Sequence, residues 1–302
     1  MKILVLGSKG QLGLCLTGEL LLTQHDVNLA SHIEINICDF DGTKERIALI
    51  NPDVVINATA YTAVDKAEDD RVAAYLVNHI AVSNLADICN EFKCWLIHVS
   101  TDYVFDGRST RAYVETDGTN PQSVYGMSKL KGEEAIKASG SKFLIIRTAW
   151  VFSEFGNNFL KTMVRLGGEN NRLNVVGDQI GCPTYARDIA KAIVCVLPFL
   201  SLDQESGTYN YAGNKACSWV EFAKQIFQEA INVGEMNDIP EVLSITSKEY
   251  PTPAVRPMNS RLDSSRFEAK FGYKASDWKV GIRETLKYLK SNKRAQRNSN
   301  DR

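Results

Sequence analysis

Short apolar runs alternate along the first half of the chain with longer segments whose apolar residues recur at helical spacing. Lys2-Ile3-Leu4-Val5-Leu6 opens the series, meets Gly7-Ser8-Lys9-Gly10-Gln11-Leu12-Gly13, and gives way to a helical pattern through Leu22. Residues 27–30 predict a second strand. Ile35-Asn36-Ile37-Cys38-Asp39 predicts a short third strand ending in a carboxylate, ahead of a helix over 43–50. Further strands are expected at 53–57, 95–99 and 142–147, with a long helix over roughly 71–90. Val124-Tyr125-Gly126-Met127-Ser128-Lys129 reads as the first turns of another helix. Leu130, Ala135 and Ile136 give it an apolar stripe, and Gly140 follows as a stop. Strand–helix alternation of this kind predicts an α/β fold with a doubly wound parallel sheet.

Beyond Trp150 the pattern loosens. Helices are expected over 157–166, 186–196 and 218–231, the last capped by Ser218, with a strand at 173–176. Prolines 240, 251, 253 and 257 mark a loop, residues 278–289 form a final amphipathic helix, and the polar segment 291–302 is expected to be disordered. The resulting division is a dinucleotide-binding domain over 1–150 and a smaller, discontinuous lobe over 151–290. The chain is expected to return to the main sheet near 183–200 and again near 241–245.

Composition narrows the possibilities. A formal net charge of −1 over 302 residues gives no electrostatic case for nucleic acid or a membrane surface. The longest apolar stretch, 192–200, is short and broken by Pro198, and no secretory leader is expected. Seven cysteines, without a C-x-x-C, suit free thiols in a reducing cytoplasm. Four histidines form no ligand spacing, so no metal is argued.

The glycine turn lies between strand and helix, where a backbone can approach a pyrophosphate and a helix N-terminus offers free N–H groups. The end of the second strand, Ser31-His32, carries no acid for a ribose 2′-hydroxyl, which leaves room for the 2′-phosphate of NADP, although no arginine stands there to grip it. Asp39 is equally a partner for an adenine amino group or a cap on the next helix. Ala58-Thr59-Ala60-Tyr61-Thr62 supplies small residues after a strand, and Ser100-Thr101-Asp102 stands at the carboxyl end of another, where open parallel sheets bind ligands. Tyr125 and Lys129 are four apart and share a helix face. A cation beside a phenol favours the phenolate and brings its proton within working range.

Taken together, Gly7-x-x-Gly10-x-x-Gly13, Thr101 and Tyr125-x-x-x-Lys129 resemble the extended short-chain dehydrogenase/reductase superfamily, with Thr101 standing 24 residues before Tyr125. Ser100-Thr101-Asp102-Tyr103-Val104-Phe105-Asp106-Gly107, Asn157-Asn158-Phe159, Asp178-Gln179-x-Gly181-x-Pro183-Thr184 and Arg256-Pro257-x-Asn259-Ser260 are similar to the dTDP-4-dehydrorhamnose reductase family. The resemblance implies a Rossmann-type sheet and reduction of a 4-keto-6-deoxy sugar nucleotide by NADPH, with NADH left open. It implies Tyr125 as proton donor, Lys129 on the nicotinamide ribose lowering the Tyr125 pKa, and Thr101 on the carbonyl oxygen. Gly10, Gln11 and Leu12 would line the pyrophosphate, Ser31, Asp39 and Phe40 the adenosine end, and Ala60, Tyr61 and Thr62 the length of the cofactor. Asp102, Trp150 and Asn158 would meet the sugar and Arg256 the diphosphate of a dTDP-sugar. A homodimer is left open. Some members are metal-dependent dimers, but the helix position expected to hold an acid is Cys15 here. Two alternatives remain: a sugar epimerase or dehydratase, the latter lacking one acid because Tyr103 follows Asp102, and a non-catalytic NADP-binding regulatory subunit of the methionine adenosyltransferase type.

Overall fold

A computed structural model describes residues 1–200 and 206–300, with side chains described through residue 292. Its elements run β1 (Lys2–Leu6), α1 (Gln11–Leu20), β2 (Asp26–Ala30), α2 (Phe40–Ile50), β3 (Val54–Asn57), α3 (Lys66–Asp69) and α4 (Arg71–Tyr75). A π-turn (Leu76–Ile80) joins α4 to α5 (Ala81–Glu91). Then come β4 (Trp95–Thr101), α6 (Val124–Ala138), β5 (Phe143–Thr148), β6 (Val151–Phe152) and α7 (Phe159–Glu169). The remainder is β7 (Arg172–Val176), β8 (Ile180–Gly181), β9 (Thr184–Tyr185), α8 (Ala186–Leu200), β10 (Gly207–Asn210), β11 (Cys217–Ser218), α9 (Trp219–Asn232), β12 (Glu241–Ile245), β13 (Asn259–Ser260), α10 (Ser265–Phe271) and α11 (Trp278–Asn300).

The central sheet has the order β2-β1-β3-β4-β5-β10, and every pairing in it is parallel. Its inner strands are buried on both faces, which is why β1, β3 and β4 read as continuous apolar runs rather than alternating ones. On one face Leu16 and Leu20 of α1 pack with Ile189, Ile193 and Val196 of α8. On the other, Ile47 of α2 and Val82, Leu85 and Ile88 of α5 cover Leu4, Val55 and Leu96. The chain turns one way from β1 to β2 and the other way to β3, so the crevice between those strand ends is the topological switch point, where such sheets bind ligands.

A second core, including Phe152, Leu160, Val175, Phe222, Ile226, Trp278 and Ile282, joins α7, α9 and α11. Ser218 caps α9 in a reciprocal box with Glu221.

Three expectations are corrected. Residues 35–39 form turns, not a strand: Ile35 and Ile37 are buried with exposed Asn36 between them, which mimics strand alternation, but no neighbouring strand pairs with them. Glu241–Ile245 pairs in parallel with β7, not with the main sheet. The strand that extends the main sheet is β10, on β5. The segment from 291 continues α11 to Asn300 rather than leaving the fold as a disordered tail, while residues 301 and 302 lie outside the described residues. The stretch Arg71–Glu91 is also long and apolar enough to cross a membrane, but its two helices and π-turn pack against α6.

Candidate active site

At the carboxyl ends of β1, β3, β4 and β5 lies a cavity of about 700 Å³, closed on its far side by 156–159 and Arg256. The glycine turn forms its floor. Gly7 has φ +80, and a Cβ at Gly13 would stand 2.1 Å from the Gly7 carbonyl oxygen, so only glycine permits the turn to fold this tightly against α1. Gly10 caps α1 without a side-chain hydrogen bond, which leaves first-turn N–H groups beside Gln11 and Leu12 facing the cavity. That cradle fits the pyrophosphate of a dinucleotide.

Helix α6 delivers the reactive pair. Ser123 accepts from the Gly126 N–H at 3.1 Å, and Glu68 accepts from the Val124 N–H at 2.9 Å, which fixes the start of the helix. A Cβ at Gly126 would stand 2.2 Å from the Tyr103 carbonyl oxygen, so the helix can approach the turn after β4 only here. Tyr125 and Lys129 both line the cavity, as does Thr101 at the end of β4. Thr101 also caps the short turn Asp102–Val104, accepting from the Tyr103 N–H at 3.2 Å, and lies within hydrogen-bond reach of the Tyr125 phenol.

The electrostatics differ from expectation in one respect. Burial raises the Tyr125 pKa; the Thr101 hydrogen bond opposes this, while Asp102 and Tyr103 reinforce it. The anticipated lowering by Lys129 is not what the chain alone produces, because the Lys129 Nζ is directed to the Val99 carbonyl at 2.7 Å and to His98 Nε2 at 3.0 Å. A raised pKa keeps the phenol protonated, which suits a proton donor. Burial lowers Lys129 to about 8 against the raising effect of Glu133. Burial pushes Asp102 up to about 6, partly offset by Ser260 and Thr101. Its Oδ2 has no partner, and neither has Thr148 Oγ1, also on the cavity wall; both suit sugar hydroxyls.

Behind this surface, buried Glu133 accepts from Ser100 Oγ at 2.6 Å and from Arg147 Nε and Nη2 at 2.9 and 2.6 Å, tying α6 to β4 and β5. The π-turn directs buried Asn78 to the loop after β3 and to α6. Its amide accepts from the Tyr61 N–H at 2.8 Å and donates to the Tyr61 carbonyl and to Ser128 Oγ, both at 3.0 Å.

Gly10, Gln11, Leu12, Ala60, Thr62, Asp102, Trp150, Asn158 and Arg256 line the same cavity. Trp150 has φ +49 and stacks on Trp219 with centroids 3.4 Å apart; a Cβ at Gly181 would fall 2.3 Å from its ring. Holding a tryptophan in the left-handed region costs on the order of 1–2 kcal/mol, a strain that marks functional surfaces. Asn158 has little left for a sugar: its amide donates to Gln11 Oε1 and the Ser153 carbonyl, both at 2.7 Å, and its oxygen caps α7. Arg256 donates to Asp65 at 2.7 Å.

Besides Gly7 and Gly13 within the turn itself, four expected cofactor residues stand off the cavity wall. Asp39 caps α2, accepting from the Gly42 N–H at 3.1 Å, with Phe40 next to it at the start of that helix. The Tyr61 hydroxyl donates to Asp70. Ser31 follows β2 directly, and its N–H donates to the Glu34 carboxylate at 2.7 Å. An acid therefore does reach the end of β2, from three residues further on. Sequence reading also passed over His98, which resembles any core residue of β4, and a second cavity of about 350 Å³ that shares Phe159 and Arg256 with the first. Trp219, Gln179 and Tyr250 line it, and Gln179 accepts from Trp219 Nε1 at 3.1 Å.

The family model described as the RmlD substrate binding domain matches residues 1–291. A curated dTDP-4-dehydrorhamnose reductase from Aggregatibacter actinomycetemcomitans is 39% identical over 290 residues, covering 95% of this chain and 99% of its own. Among solved structures, a dTDP-4-dehydrorhamnose reductase from Clostridium acetobutylicum is 36% identical, with a TM-score of 0.89 over 96% of this chain and 100% of its own. One from Bacillus anthracis, in complex with NADP, is 33% identical, with a TM-score of 0.87 over 94% and 98%.

Proposed function

This chain belongs to the RmlD substrate-binding-domain family, and on that premise we propose that it reduces the C4 keto group of dTDP-4-dehydro-6-deoxy-L-mannose to give dTDP-L-rhamnose. The observation that carries the reading is the convergence of Thr101, Tyr125 and Lys129 in one cavity at the carboxyl edge of the sheet, beside the glycine cradle. NADPH, when bound, supplies the hydride; NADH is the second candidate.

The chain's own residues do the rest. The first turn of α1 and the glycine turn would hold the pyrophosphate. Lys129, on the cavity wall, would bind the nicotinamide ribose. Tyr125 gives its phenolic proton to the oxygen at C4 as negative charge grows there, and Thr101 donates to the same oxygen, so both act most strongly in the transition state. Asp102, Thr148 and Trp150 orient the sugar, while Asn158 shapes the wall through Gln11 rather than contacting substrate. Arg256 is the cation for the diphosphate, a fork matched to phosphate oxygens, and exchanges Asp65 for it. The apolar second cavity, continuous with Arg256, suits the thymine base, with Trp219 and Phe159 as stacking surfaces and Gln179 as an amide partner. All seven cysteines are free, which supports a reducing cytosolic setting.

The test is the loss of reduced-nicotinamide absorbance with the keto-sugar nucleotide, for the natural chain and Tyr125→Phe. Removing the proton donor should lower kcat by roughly 10²–10⁴ while NADPH binding persists. Full activity in the variant would sink the assignment of Tyr125, and no turnover by the natural chain would sink the substrate.

A further inference from the structure

His98 lies in the middle of β4, fully buried and paired across the sheet with Asn57 of β3. Its two ring nitrogens have different neighbours. Nδ1 lies 3.1 Å from Asn57 Nδ2, and Nε2 lies 3.0 Å from Lys129 Nζ. The orientation of Asn57 is fixed, because the Thr59 backbone N–H, which can only donate, points at Oδ1 from 3.0 Å, and the Thr59 hydroxyl donates to the same atom at 2.5 Å. The amide N–H₂ must therefore face the imidazole, and Nδ1 must accept. A neutral imidazole that accepts at Nδ1 carries its hydrogen on Nε2. That N–H points at Lys129.

Resting on the reductase reading above, we propose that His98, held in its Nε2–H tautomer by Asn57, is a positioning residue that weakens the hold of Lys129 on its proton, so that the ammonium is poised to lose it just above neutral pH. An amine accepts from Nε2–H while donating to Val99 O, and every polar group in the chain Thr59–Asn57–His98–Lys129 is then satisfied. An ammonium sets N–H against N–H at 3.0 Å, and His98 cannot relieve this by changing tautomer, because Nδ1–H would then meet the Asn57 N–H₂. Burial acts in the same direction on both groups, lowering Lys129 to about 8 and His98 well below its ordinary range.

The surrounding charges do not explain the effect. The charge acting on Lys129 from its own helix is Glu133, which favours the ammonium and is itself paired with Arg147 of β5. β3 offers only uncharged Asn57. Asp102, in the turn after β4, acts on Tyr125. From the π-turn, Asn78 reaches Ser128 and His79 pairs edge-on with Tyr75, while Glu68 of α3 is held by the Val124 N–H.

The first test needs no substrate. With only four histidines, ¹⁵N-edited imidazole spectra of the full chain can be assigned. His98 should be neutral and Nε2–H between about pH 6 and 9. Asn57→Asp, near-isosteric, replaces the donor with an acceptor and should convert His98 to Nδ1–H, so that Nε2 accepts from the Lys129 ammonium. The alkaline limb of kcat/KM should then rise by roughly one pH unit or more. The new carboxylate also attracts the ammonium directly, and Asn57→Asp in a His98→Phe background separates the two effects. Loss of the shift there supports the tautomer; persistence assigns it to charge and overturns the proposal. An Nδ1–H or doubly protonated His98 in the natural chain, or an unmoved limb in Asn57→Asp, also overturns it. If Asn57→Asp does not fold, the natural-chain spectrum still decides. If the keto-sugar is not turned over, the substrate reading fails while the spectra report on the tautomer regardless.

Discussion

Replacing Glu133 by Gln keeps its shape and removes one charge, in a place where charge balance is strict. Both Glu133 and Arg147 are at most 2% exposed. The guanidinium stands 5.0 Å from the Phe105 ring, and its Nη1 already has no partner. With the carboxylate gone, a buried cation remains unbalanced. Breaking such a pair from one side costs about 3–5 kcal/mol, a large part of a total folding stability of roughly 5–15 kcal/mol. At about 2–3 °C per kcal/mol for a chain of this size, Tm should fall by roughly 6–15 °C. Calorimetry or urea unfolding measures it. The pH dependence carries a second signature. Burial raises the Glu133 pKa, but the Arg147 hydrogen bonds and charge, with Ser100 and Lys137, outweigh it and leave the carboxyl below 4.5. A depressed carboxylate stabilises the fold above its unfolded pKa, and that stabilisation is lost as pH falls through the folded value. Glu133→Gln should lack this component of acid sensitivity. A Tm within about 2 °C of the natural chain would refute the reasoning, as would a Glu133→Leu/Arg147→Met double variant less stable than either single, since well-packed apolar replacements of a buried pair are close to neutral.

Glu34 offers a test of cofactor choice. Its carboxylate occupies the Ser31 N–H at the end of β2 and feels Lys9 and Arg46, groups that a 2′-phosphate would otherwise engage. Glu34→Gln should raise the NADPH-to-NADH ratio of kcat/KM by about three- to tenfold in initial-rate assays, and an unchanged ratio would remove Glu34 from cofactor selection. Asp102 makes the opposite pH contribution to Glu133. Its folded pKa is raised from 3.8 to about 6, so its contribution to stability is complete below the unfolded value and is lost as pH rises through about 6. Between pH 8 and 5 the natural chain should gain roughly 1–2 kcal/mol from this group, and Asp102→Asn should not, by urea unfolding at each pH.

The parts of the molecule legible in its sequence are those fixed by local constraint. The glycine turn, β1 and the start of α6 each depend on neighbours within a few residues, so pattern and spacing sufficed to put Gly7 and Gly10 in a turn and Tyr125 and Lys129 on one helix. Pairing partners are not local. Glu241–Ile245 has an unmistakable strand pattern, but nothing in it specifies β7 rather than the main sheet, and Gly207–Asn210 is too short and too plain to announce itself as the edge strand. Ile35 and Ile37 show the converse: two buried residues at strand spacing, held by turns. Asp39 and Asn158 carry the right chemistry for ligands yet serve helix caps, a competition that Asp and Asn enter at any helix start. His98 was hidden by its setting, since one imidazole in an apolar strand shows nothing of the lysine that will meet it from α6.

The π-turn between α4 and α5 has a consequence for length. One residue more than an α-helix needs is accommodated there, and Asn78, at its centre, bridges the loop after β3 to α6. Deleting a single residue from Leu76–Ile80 would let the segment close into an unbroken α-helix with a complete ladder, while turning one half against the other by about 100° and 1.5 Å. The helix would gain regularity, and Asn78 would lose either Tyr61 or Ser128. The most regular form of this helix and the working one therefore differ in length by one residue.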